Sequence, residues 1–228
     1  MATKGNTILA GLDHLVEKYH LLKHPFYRAW TQGTLSRESL ALYAEQYYQH
    51  VLAFPENLRQ LSSRANGDLR QLVDENLAEE LDPADPHPAL WRQFAGSVGA
   101  REAALDSTRP LPGIAALLDT FDELSENGSK AQAVAAFYVY ETQVPEIATQ
   151  KIAGLKRHYG ISDESALRYF AVHEEADVRH RASWRQWLAA RPEEECVGVC
   201  AAGERALKAL WGALDAVYPR GCANASKN

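Results

Sequence analysis

At 228 residues, 46% of them hydrophobic and 24% charged, the chain has an ordinary globular composition and the length to bury about 70% of its unfolded surface. A formal charge of −6 with no basic run excludes a general nucleic-acid binder and an anionic membrane surface. The three cysteines (Cys196, Cys200, Cys222) are odd in number and crowded near the end, which excludes a secreted disulfide framework and points to a reducing cytoplasm.

Taken in order, Ile8, Leu12, Leu15, Val16 and Tyr19 follow helical periodicity and predict a first helix over Thr7–Leu22. His24-Pro25 interrupts it, and Pro25 opens a short helix through Trp30, which Gly33 ends. Ser36 reads as the N-cap of a long helix to Arg64, kinked at Pro55. Asn66-Gly67 breaks the chain and Asp68 caps the next helix, which the Asp82–Pro86 run terminates. His87-Pro88 starts another helix, Gly99–Pro112 reads as loop, and a helix follows to Asn127. The longest uninterrupted pattern runs over 129–159, with Pro145 predicting a bend just past Glu141. Ser162 caps a helix that Pro192 ends, and a last helix spans Glu193–Tyr218. No apolar run approaches the roughly 20 residues that cross a bilayer, and no cleaved-leader pattern opens the chain. The reading is one all-α domain over 1–219, a mostly up-and-down helical bundle, with a frayed tail over 220–228.

Within the helix 162–191, His173, Asp177 and His180 stand at i, i+4 and i+7, within roughly 60° of one face. Two imidazoles and a carboxylate converging there suit a first-row transition metal. An ordinary helix carrying an Asp–His pair explains this segment alone equally well. Glu141 follows the apolar run Phe137–Tyr140 and needs a partner if buried, or it snorkels to the surface. Glu80 and His87 form another candidate pair across the proline turn. Glu79 is the rival to Glu80, which continues the inward series Val73, Asn76, Leu77. Cys196-x-x-x-Cys200 reads as two buried small residues rather than a metal site.

Taken together, Glu80-x6-His87, Glu141 and His173-x3-Asp177-x2-His180 resemble the ligand set of the haem-oxygenase-like dimetal oxidases. Within the TenA/PqqC superfamily the similarity is to the group of the chlamydial protein associating with death domains, from His24-Pro25-Phe26-Tyr27 to the last ligand. The resemblance implies a haem-oxygenase-like bundle of about seven helices around two transition-metal ions, iron–iron or manganese–iron, acting with dioxygen and a reductant. Three carboxylates would offset most of the charge of two divalent ions, and three imidazoles would leave positions open. A homodimer is compatible with the family.

The resemblance further implies a self-sacrificing 4-aminobenzoate synthase serving folate synthesis, whose substrate is its own Tyr27 and whose amine comes from Lys151. Tyr43, Tyr140 and Tyr169 are then aromatic neighbours able to relay electrons. From the residues alone, Tyr27 is a core aromatic and Lys151 a solvent-facing charge. On an ideal helix Lys151 lies about 80° around and about 15 Å along from Glu141, so its approach to the metals depends on the Pro145 bend or a mobile side chain. Two other classes compete. One is a dimetal oxygenase acting on an external amine, amino acid or fatty acid, which only an open pocket would distinguish. The other is a protein-interaction module, for which no exposed apolar helix face is readable.

Overall fold

A computed structural model describes residues 7–218. The expected tail over 220–228 and Cys222 lie outside them. Helix α1 (Thr7–Lys18) buries Ile8, Leu12 and Val16 and stops short of the expected Leu22, because the chain re-forms as a 3-10 turn at Leu21–Lys23. His24 caps α2 (Pro25–Gln32) by accepting from the Phe26 amide at 3.0 Å, with Pro25 in the first turn. Gly33, at φ 68°, closes α2 in the left-handed conformation. Ser36 accepts from the Ser39 amide at 3.1 Å and opens α3 (Arg37–Arg64), which continues through Pro55 as one element.

Helix α4 (Gly67–Glu80) starts from Asn66, with the expected cap Asp68 already inside its first turn. Helix α5 (His87–Ser97) opens at His87 as expected. The expected loop over 99–112 contains α6 (Glu102–Ser107) and delivers Pro112 to the first turn of α7 (Pro112–Glu126). The single bent helix expected over 129–159 is two helices, α8 (Lys130–Glu141) and α9 (Val144–Tyr159), parted at Thr142-Gln143. Pro145 cannot donate to the preceding turn, and Gln143 repairs the gap. Its Nε2 donates to the Val139 carbonyl at 2.8 Å, while its Oε1 accepts from the Leu21 amide at 2.8 Å. Asp163, not Ser162, caps α10 (Glu164–Ala189), accepting from the Ser165 amide at 2.9 Å. A 3-10 turn over Glu193–Glu195 precedes α11 (Cys196–Val217).

The described residues form eleven α-helices where about seven were expected, and contain no strand. The all-α bundle is therefore as expected, more finely divided. Helix α10 packs against α5, α8 and α9 and touches α4, while α3 packs against α4, α5 and α7. Gly154 lets α9 approach α2 closely, because a Cβ there would stand 2.6 Å from the Trp30 ring. The Trp30 indole donates to the Lys151 carbonyl at 3.3 Å, fixing that turn of α9.

Candidate metal centre

Three of the six predicted ligands stand at helix ends and three on one face of α10. Glu80 is the last residue of α4, His87 the first of α5 and Glu141 the last of α8. His173, Asp177 and His180 all lie on the buried side of α10. All six side chains are buried. They form two groups, Glu80–His87–His173 and Glu141–Asp177–His180, each offering three ligand atoms within 4.8 Å of one another.

In the first group His87 Nδ1 lies 2.8 Å from Glu80 Oε2, and the His87 and His173 rings are 4.4 Å apart. His173 Nδ1 lies 2.6 Å from the Tyr169 carbonyl, to which it donates, leaving Nε2 free to ligate. In the second group His180 Nδ1 lies 3.5 Å from Asp177 Oδ1 and 3.9 Å from Glu141 Oε2. Glu141 is held at both oxygens: Asn76 donates to Oε1 at 2.9 Å and the Trp184 indole to Oε2 at 2.6 Å. Glu79, the rival to Glu80, sits at the rim, where Arg179 donates to it at 2.8 Å.

The electrostatics ask for cations. Burial, then the neighbouring Asp177 charge, push the Glu141 carboxyl above its usual range. Burial also opposes ionisation of Glu80, but His87 against it wins and holds that carboxyl low. Burial disfavours a charged His180, yet Asp177 and Glu141 outweigh it and raise the ring to about 9. Glu80 and Glu141 both end helices, where unsatisfied carbonyls add partial negative charge. Buried carboxylates in that position are costly without a positive partner. Within the two groups, Asp177 Oδ2 and His87 Nδ1 have no aligned hydrogen-bond partner. Three carboxylates, three imidazoles and two orphaned donor atoms fit a pair of divalent ions.

The other predicted residues gather beside the first group. Tyr27, Tyr140, Lys151 and Tyr169 line one small cavity together with His173, and its volume is about 20 Å³. Tyr43 stands behind it, its hydroxyl accepting from Lys151 Nζ at 2.6 Å. Lys151 is buried rather than solvent-facing, with its amine 5.5 Å from the Tyr27 ring centre. Burial lowers its pKa to about 7, so a large fraction is free amine near neutral pH. Burial also raises the Tyr27 and Tyr43 phenols, keeping both protonated.

Two lining residues escaped the sequence reading. Tyr47 stacks on Tyr43 at 5.3 Å and its hydroxyl donates to that of Tyr140 at 3.3 Å. His50 is fully buried, lines a second small cavity with Glu80, Glu141 and Asp177, and is lowered to about 4 by burial. The signal was present, since 43, 47, 50 and 54 share one helical face with the aromatic core. Lys151 was legible too, four residues from both Ile147 and Leu155, which are buried.

Residues 41–214 match a family described as iron-containing redox enzymes. The chain is 40% identical over 237 aligned positions to a 4-aminobenzoate synthase of Nitrosomonas europaea, covering 98% of this chain and 95% of that one. It is 35% identical to a 4-aminobenzoate synthase of Chlamydia muridarum, covering 95% and 92%. A Shewanella denitrificans domain of unknown function with a haem-oxygenase-like fold superposes with a TM-score of 0.79 at 17% identity, over 96% and 93% of the chains. That likeness carries the fold.

Proposed function

The chain belongs to the family of iron-containing redox enzymes, and from that premise we propose that it is a self-sacrificing 4-aminobenzoate synthase that consumes its own Tyr27. One observation carries this reading: Tyr27, Lys151 and His173 line the same small cavity of about 20 Å³. Such a space holds about one water molecule, not an amine, amino acid or fatty acid. A ring already built into its wall is the substrate that fits.

The proposed ligands are Glu80, His87 and His173 for one ion and Glu141, Asp177 and His180 for the other. When bound, a redox-active iron–iron or manganese–iron pair would supply oxidising power from dioxygen, with an external reductant. The protein's own groups do the rest. Tyr27 presents a para-substituted ring: cleaving Cα–Cβ, with a hydrogen returned to Cα, and oxidising Cβ with dioxygen gives the carboxylate, while nitrogen replaces the phenolic oxygen, which leaves as water. Lys151, partly unprotonated at neutral pH, offers the nitrogen within reach of that ring. Trp91 and Phe170 wall the cavity with apolar rings. Tyr43, Tyr140 and Tyr169 surround the path toward the ligands as electron relays. The same reading takes the chain as one domain over 1–219 in the cytoplasm; a homodimer rests on the family likeness alone. Among the described residues no helix is long and apolar enough to cross a membrane.

Ring-labelled tyrosine incorporated during expression tests this directly. Labelled 4-aminobenzoate should appear at no more than one per chain, with Tyr27 altered while Tyr43, Tyr140 and Tyr169 persist. Many turnovers per chain from an added small molecule, or labelled product with Tyr27 intact, would reject the reading.

A further inference from the structure

Glu79 has no place in the reaction just described, yet it stands where two surface hollows meet. One, of about 360 Å³, carries Glu79, Asp82, Asp85, Glu174 and Glu175 against Arg168 and Arg179, and reaches His87. The other, of about 170 Å³, carries Glu75 and Glu79 and reaches Asn76, His180 and Trp184. Glu79 and Arg179 line both, and their 2.8 Å ion pair forms the partition. Each hollow therefore leads to one of the two buried ligand groups. Carboxylates outnumber arginines in the larger hollow, so its field draws cations inward.

A second observation gives Glu79 an inner contact. Its Oε2 lies 3.3 Å from His180 Nε2, the buried ring nitrogen that has no aligned hydrogen-bond partner. The other nitrogen of the same ring faces Asp177 and Glu141. A cation held by Glu79 would thus stand one imidazole away from the inner site. The Arg179 guanidinium now occupies that carboxylate, as a positive group covering a position that a cation could take.

We propose that Glu79 is the docking carboxylate through which divalent cations reach the Glu141–Asp177–His180 group, with Arg179 holding its place until a cation displaces it. Glu79 is a transient ligand here, not one of the permanent six. The inference rests on the two-ion reading above.

Mn²⁺ added to metal-free protein at low ionic strength tests it, with loss of the free-ion electron paramagnetic resonance signal followed in time. Glu79→Gln should slow association by roughly tenfold while still binding two ions per chain at saturation. Arg179→Gln, also at the surface, should accelerate association, and the double variant should be as slow as Glu79→Gln alone. Association of Glu79→Gln at the parent rate would overturn the proposal, as would fewer than two ions bound at saturation. Faster dissociation with unchanged association would instead make Glu79 a positioning residue for His180 and overturn it too. Failure of Arg179→Gln to accelerate association would remove the place-holding role. A parent chain that binds fewer than two Mn²⁺ overturns the two-ion reading, and this inference with it.

Discussion

Lys151 Nζ lies 2.6 Å from the Tyr43 hydroxyl, with the rings of Tyr27, Tyr47, Trp91 and Phe170 within 5.8 Å. A primary amine buried among aromatic rings at the edge of a metal centre is an expensive arrangement. Its chemistry and its cost can be measured separately.

The chemical test is Lys151→Arg. The guanidinium keeps the charge and most of the reach but offers no primary amine. Metal content and helicity should stay near the parent values while 4-aminobenzoate, read by mass spectrometry, disappears. Undiminished product would move the nitrogen source elsewhere.

The energetic test is Lys151→Met. Folding lowers the lysine pKa from 10.5 to about 7, so between those values the unfolded chain binds the proton and the folded chain does not. Stability from this group is therefore lowest below pH 7 and rises as pH climbs toward 10.5. Between pH 7 and 9 the metal-free parent should gain on the order of 2 kcal/mol relative to Lys151→Met in denaturant melts. Parallel pH profiles for the two proteins would contradict the buried amine.

For the ligand set, Glu141→Ala should lower the bound metal from two ions to one or none, as elemental analysis would show. Asn76→Leu removes the donor to Glu141 Oε1 and should weaken metal binding by roughly 10- to 100-fold without abolishing it. Full metal occupancy and parent affinity in both variants would remove Glu141 from the site.

Tyr27→Phe should fold, because the ring and its contact with Phe26 at 5.2 Å remain, but release no 4-aminobenzoate. It lacks the phenolic oxygen that activates the ring. Product formation by Tyr27→Phe would show that another tyrosine is consumed.

The bundle was legible because long amphipathic stretches are punctuated by Pro and Gly, whose backbone limits act locally. What the sequence hid depends on tertiary context. The six residues of α6 are too few to show a period. The gap after Glu141 falls on Thr142-Gln143, neither of which breaks helices by itself, and Gln143 can cross it only because Leu21 offers an amide from another segment. Asn66 and Asp68, like Ser162 and Asp163, are rival caps that only the packed geometry separates. The candidate ligand types and spacings along α10 were readable from one helical face. Their division into two groups was not, since it depends on where α4, α5 and α8 end against that face.

Those endings matter for more than ligation. Glu80 and Glu141 close α4 and α8 with a negative side chain at the negative pole of each helix. An ion bound at each carboxylate would act as a C-cap for its own helix, and without the two ions these final turns are the places where fraying should start. Loading would then be a maturation event: amide hydrogen exchange at 77–80 and 138–141 should slow together when metal is added.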